Sequence, residues 1–296
     1  MKMRLLLPLC LALLSAQGSA QKQSAAPPQA TPQQIAADKQ QTERAVAALQ
    51  PQRKGIVDGY VVVVALDTDT VFNREAREAG RVLARRFDAV GRTIVLAEDE
   101  GADRASAPGT TKDLAVALTE IAQIMDRRED VLILYTTSHG VPQQGLVYKN
   151  SKRGMALIGP DLFAMLINSL NVKNKLLMLQ ACYSGQFVPV LQSPSTIVVT
   201  AAADDRSSFG CQAGNDWTLF GTALINHAFR QPLPLDVQFR RATALIAAAE
   251  DRAKLLPSNP QVSIGEDTGA WVNALDEREP KDGTHPVGQP VQGLGI

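Results

Sequence analysis

Five short runs of nearly continuous apolar residues organise the chain: Tyr60 to Leu66, Thr93 to Ala97, Val131 to Thr136, Leu176 to Ala181 and Thr196 to Ala201. Each is rich in Val, Ile or Leu and does not alternate with polar residues, the pattern of strands buried on both faces of a mainly parallel sheet. Between them the period changes. Residues 74–90 place Ala76, Ala79, Val82, Leu83, Phe87 and Val90 three or four apart, with Arg and Glu on the other side. Leu114 to Met125 repeats that spacing. Pro160 to Leu170 opens with a Gly-Pro helix start and sets Phe163, Leu166, Ile167 and Leu170 on one face. Two more helices are expected over Leu219 to Phe229 and Val237 to Lys254. Strands and helices that alternate at these spacings fit right-handed crossovers, so the fold class is α/β: a three-layer sandwich around a mainly parallel sheet, in one domain.

The ends of the chain read differently. Lys2 and Arg4 precede an apolar run, Leu5 to Leu14, and then small and polar residues to Ala20. That is the pattern of a secretory signal peptide over residues 1–20, too short to span a bilayer as a helix. The expected location is outside the cytoplasm, periplasmic or secreted, with no membrane span. Residues 21–54, rich in Gln, Pro and Ala, read as a linker that contains a weak helical stretch, Ile35 to Leu49. The folded body is expected over 55–275. Residues 276–296 hold three prolines and four glycines and read as a flexible tail or one laid over the surface.

Composition narrows the chemistry. The 296 residues carry 30 basic and 30 acidic side chains, three His and three Cys. Zero net charge gives no overall pull toward nucleic acid. Three cysteines support neither a dense disulfide framework nor a four-Cys zinc site. No phosphate-cradling loop or dinucleotide fingerprint appears, so no cofactor is expected. His227 and His285 lack a ligand spacing, so no metal site is expected. Removal of the leader also takes Cys10.

Two of the apolar runs end in reactive side chains. Val131 to Ser138 leads into His139-Gly140, and Leu176 to Ala181 leads into Cys182-Tyr183-Ser184-Gly185. In α/β sheets, functional residues gather beyond the carboxyl ends of strands. If these two strands are adjacent, about 4.8 Å apart, imidazole and thiol project from one edge within reach of each other. That arrangement suits acyl transfer by a thiolate, with the imidazole handling protons. Gly140 leaves room for a carbonyl to approach its N–H, which with the N–H of Cys182 makes an oxyanion hole. Cys211 reads as a buried structural cysteine, His227 as a packing or capping residue on a helix, and His285 as solvated.

At these residues the sequence resembles the legumain-type cysteine peptidases of family C13, in particular their bacterial exported branch. The resemblance runs from about Tyr60 to Gly265. It rests on Val71-Phe72-Asn73-Arg74-Glu75, Asp130-Val131-Leu132, Thr137-Ser138-His139-Gly140, Ala181-Cys182-Tyr183-Ser184-Gly185, Ser207-Ser208-Phe209-Gly210-Cys211, Thr218-Leu219-Phe220-Gly221 and Pro257-Ser258-Asn259-Pro260-Gln261. It implies the caspase-haemoglobinase fold with about six strands, a His139–Cys182 dyad, and hydrolysis of peptide bonds after Asn or, less often, Asp. It also implies that Arg74 lines the primary specificity pocket and that Ser207 and Ser208 form part of its wall. Asn73 lies near the family's helper Asn and is given no catalytic role. Two departures stand out. The residue after the nucleophile, often Glu in animal and plant members, is Tyr183. The acid expected after Thr218-Leu219-Phe220-Gly221 is Thr222. Strict Asn specificity is therefore not implied. The expected partner is a peptide or protein substrate, with no obligatory oligomer. Two alternatives share the same residues: a transpeptidase or ligase that passes the thioester to an amine, and an idle binding module that keeps the fold.

Overall fold

The computed structural model describes residues 29–99, 101 and 103–296. The proposed leader over 1–20 lies outside them. All five apolar runs are strands: β1 (Gly59–Ala65), β2 (Thr93–Leu96), β3 (Val131–Thr137), β7 (Asn174–Gln180) and β8 (Thr196–Thr200). They pair in parallel in the order β2-β1-β3-β7-β8, and β9 (Gln261–Ile264) closes the edge antiparallel to β8. β1, β3 and β7 are buried at every position, which is why their sequences do not alternate. Successive side chains feed opposite cores. Val61, Val63, Ile133, Tyr135 and Met178 face one layer; Tyr60, Val62, Val64, Leu132, Leu134 and Leu177 face the other.

The first core is covered by α2 (Thr70–Arg86), α7 (Leu235–Arg252), α8 (Gly269–Asp276) and a short helix, α6 (Leu219–Gly221), that continues as a π-helical stretch over Thr222–Ala228. The second is covered by α1 (Pro32–Ala47), α3 (Thr111–Ile124), α4 (Pro160–Ser169) and α5 (Val188–Leu191). After β3 the chain makes a separate antiparallel sheet from β4 (Gly140–Val141), β5 (Gly145–Asn150) and β6 (Gly154–Ile158). The fold is thus the three-layer α/β sandwich with a six-stranded, mainly parallel sheet.

Three differences from the sequence reading bear on how the body is built. α2 begins at Thr70 rather than Arg74, because Asp69 is extended and turns the chain into the helix. Residues 32–47, read as linker, form a docked helix. Thr31 and Gln34 close a capping box at its start. Val46 is buried, Thr42 donates to the buried Asp113 carboxyl at 3.0 Å, and Asp38 pairs with Arg153 at 2.6 Å. The weak sequence signal reflects a narrow apolar stripe whose docking is largely polar. The C-terminal run, read as flexible or surface-laid, lies over the body. Val291 and Leu294 are buried, and both Trp217 Nε1 and Asn226 Nδ2 donate to the Val287 carbonyl at 2.9 Å. Isolated anchors of this kind leave no periodic trace in a sequence.

Because α1 contributes buried Val46 and the partner of Asp113, a chain that starts at residue 51 should lose about 2–4 kcal/mol of stability. Thermal unfolding of the two lengths checks this. Equal melting temperatures would show that α1 does not stabilise the body.

Candidate active site

The paired strands set the level of the site. Ala65 of β1 lies opposite Thr137 of β3, and Thr137 lies opposite Gln180 of β7. Ser138 N still donates to the Gln180 carbonyl at 3.1 Å. Carried two residues further, this register puts Asp67, His139 and Cys182 level beyond the carboxyl ends of three adjacent strands. The chain exits that carry His139 and Cys182 thus leave adjacent buried strands side by side.

Gly140 fits this arrangement for a steric reason. A Cβ there would lie 1.9 Å from the Cys182 carbonyl oxygen and 3.2 Å from Ala181 Cβ. Only glycine lets the two strand exits approach so closely. Gly140 pairs with Leu146 in the β4–β5 ladder, while Val147 N donates to the His139 carbonyl at 2.9 Å. That bond makes 140 and 146 a non-hydrogen-bonded pair, whose own N–H groups point away from each other. The Gly140 N–H is therefore turned out of the β4–β5 ladder.

The Cys182 thiol is half-buried and free. Ser208 N–H donates to Sγ at 3.3 Å, and Sγ lies 3.5 Å from the Ser208 carbonyl. Burial pushes this thiol above its ordinary range, against the opposing pull of the Ser208 backbone. Tyr183 follows in the left-handed region, φ 59° and ψ 17°, an uncommon conformation for a bulky residue. It is held there by its N–H on the Arg206 carbonyl at 2.8 Å and by the Ser207 hydroxyl, which donates to its phenol oxygen at 3.2 Å. Ser207 is exposed and Ser208 buried. Ser208 reaches the site through its backbone.

His139 is partly exposed. Phe72 of α2 meets its ring edge-on at 4.9 Å between centroids, and Nε2 lies 3.5 Å from Asp69 Oδ2. Lys149 of β5 bonds Asp69 Oδ1 at 3.0 Å and approaches Asp67 Oδ1 at 3.5 Å. Burial works to raise the Asp69 carboxyl, but Lys149 and His139 together hold it below the ordinary carboxylate range. Asn73 does not rest on His139. Its Nδ2 donates to the Asp69 carbonyl at 3.2 Å and its Oδ1 accepts from Glu98 N at 2.8 Å, which ties the β1–α2 turn to the loop after β2.

Arg74 pairs with Asp216 at 3.5 Å. Beneath it, Glu75 is fully buried. It accepts from Tyr135 Oη at 2.6 Å and from Thr218 N at 2.7 Å, so one carboxyl joins α2, β3 and the turn before α6. Burial raises this carboxyl despite those two donors. Cys211 is a free thiol packed against the first core. His227 lies half-buried in the π-helical stretch, where burial and then Arg241 and Arg230 push its imidazole down. His285 is exposed in the C-terminal run.

A family model described as the peptidase C13 family matches residues 109–247, a span that contains His139, Cys182, Ser207 and Ser208. This stretch, just under half of the chain, is similar to the peptidase C13 family. That similarity supports a cysteine-peptidase type of function. A comparison with curated proteins finds no match. Among the described residues, no helix is long and apolar enough to cross a membrane.

Sequence reasoning did not single out Asp67, Asp69, Lys149 or Asp216. Asp67 follows β1 as His139 follows β3, so the same strand-end rule reaches it. The others come together only through the β5 hairpin and the loop before α6.

Burial disfavours the Cys182 thiolate in the substrate-free protein. The rate of Cys182 alkylation by iodoacetamide, followed by peptide mass mapping, should keep climbing beyond pH 9. A plateau below pH 8 would mean that the thiol is already ionised and the burial argument is wrong.

Proposed function

We propose that the protein is an exported cysteine endopeptidase that cleaves peptide bonds through a thioester on Cys182, with His139 as proton donor and acceptor. The observation that carries this reading is the position of His139 and Cys182, each two residues past the paired ends of adjacent parallel strands, beside a glycine whose side chain must be absent.

In this mechanism His139 takes the thiol proton as Sγ attacks the scissile carbonyl carbon. The oxygen gains the electron pair and is held by the N–H groups of Gly140 and Cys182. Collapse breaks the C–N bond. The leaving amine takes the proton from His139, and Cys182 keeps the acyl group as a thioester. His139 then accepts a proton from water, the hydroxide attacks, and breaking of the C–S bond returns the thiol. Proton transfers of this kind contribute typically ~10²–10⁴-fold. Phe72 and Asp69 hold the imidazole from two sides.

Arg74 and Asp216 supply the specificity. The acid absent at Thr222 has a counterpart in Asp216, which reaches Arg74 from a different point in the sequence. A primary amide offers its carbonyl to the guanidinium and its N–H₂ to the carboxylate; a substrate carboxylate meets Asp216 as a like charge. The pair therefore favours Asn over Asp before the scissile bond, with Ser207 and Ser208 on the pocket wall. The leader at residues 1–20 places the mature enzyme in the periplasm or outside the cell.

Profiling of purified protein on a diverse peptide library tests the reading. Cleavage should disappear in Cys182→Ala and fall about 10²–10⁴-fold in His139→Ala. Undiminished cleavage by Cys182→Ala would refute the mechanism. Addition of an amine nucleophile separates hydrolysis, which we expect, from ligation. In Asp216→Ala the preference for Asn over Asp should drop about tenfold, equal to about 1.4 kcal/mol. An unchanged ratio would remove Asp216 from the pocket.

A further inference from the structure

Asp67 presents an anomaly. Its side chain is fully buried and its Oδ2 has no hydrogen-bond partner. Its other oxygen, Oδ1, accepts from Asp69 N at 2.9 Å and faces the Lys149 ammonium. An ionised oxygen without a partner is costly in a protein interior. One carboxylate oxygen from Asp67, one from Asp69 and a ring nitrogen of His139 all lie within 4.8 Å of one another. The Oδ1 atoms of both aspartates are turned to Lys149, whereas Asp69 Oδ2 is turned to His139 Nε2.

We propose that Asp67, Asp69 and His139 form a site for a zinc-type divalent cation, and that occupancy of this site inhibits the peptidase by removing the imidazole from Cys182. The donor set, one imidazole nitrogen and two carboxylate oxygens, is one that Zn²⁺ accepts. Two ligands about 2.0–2.2 Å from a tetrahedral zinc stand about 3.4 Å apart, close to the 3.5 Å between His139 Nε2 and Asp69 Oδ2. The cation would bring a positive charge to the Asp67 carboxylate, whose Oδ2 has no hydrogen-bond partner. It would also oppose Lys149, whose single charge already offsets one of the two carboxylates. Lys149 is nearly half exposed on a flexible stem, so it can yield without disturbing the fold. Spacing along the sequence does not reveal such a site, because β1 and β3 bring its ligands together in space.

The inhibitory consequence rests on the peptidase reading; the binding site does not. The test therefore begins with Zn²⁺ titrated calorimetrically into full-length Cys182→Ala protein, in which the thiol cannot serve as ligand. One site per chain is expected. Asp67→Asn, added to that background, keeps the acceptor for Asp69 N and should weaken binding at least ~10-fold. Lys149→Met should tighten it about three- to ten-fold by removal of the opposing charge, a gain that misfolding does not produce. Absence of a saturable site, or affinities unchanged in both variants, would overturn the proposal. In the wild-type protein, Zn²⁺ should suppress peptide cleavage reversibly, with restoration by a chelator and a higher inhibitory concentration in Asp67→Asn. Binding without inhibition in an active enzyme would overturn the inhibitory role alone; binding in a protein without measurable cleavage would refute the peptidase reading and leave the site standing.

Discussion

The parallel pairing of β1, β3 and β7 is the constraint on which the rest of this molecule depends. Three strands buried on both faces cannot slip by one residue without moving every apolar side chain into the opposite core. The residues just past their ends inherit that fixity. Asp67, His139 and Cys182 thus stand level although they are far apart in sequence. Gly140 adds a second constraint at the same place, because any side chain there would drive the β3 exit away from the Cys182 carbonyl. Precision in the site is a consequence of packing in the sheet, and the loops around it inherit their positions.

Buried polar groups then join the surrounding elements to this frame. Glu75 links helix α2 to β3 and to the turn that begins α6, and so fixes the helix that carries Phe72 and Arg74. Asn73 holds the turn before that helix. The Ser208 backbone holds the thiol from the far side. Each contact uses a group that needs a partner when removed from water, so the site is held by satisfied hydrogen bonds in addition to apolar packing. Asp67 Oδ2 is an exception, and that exception is what points to a cation.

The degree to which the sequence was legible follows the same physics. Continuous apolar runs mark strands covered on both faces, and all five were readable. β9 was not, because an edge strand with exposed Val262 and Ile264 gives no such run. The hairpins of β4, β5 and β6 were missed since their short strands have mixed exposure. α1 was read as weak helix in a linker because its attachment relies on Thr42 and Asp38 as much as on apolar residues. His139 and Cys182 were legible because each ends a strong strand. Asp69, Lys149 and Asp216 are paired with residues on other elements, and pairing of that kind becomes visible only in three dimensions.

The central claim is that the sheet register delivers a thiol and an imidazole to one acyl group. Its most direct test is the intact mass of the protein, quenched in acid within the first turnovers on an activated peptide ester. The account predicts an added acyl mass that maps to Cys182 and persists longer when His139 is replaced by Ala, since His139 activates the deacylating water. An acyl group carried by any other residue, or turnover with no acyl-protein at all, would contradict it.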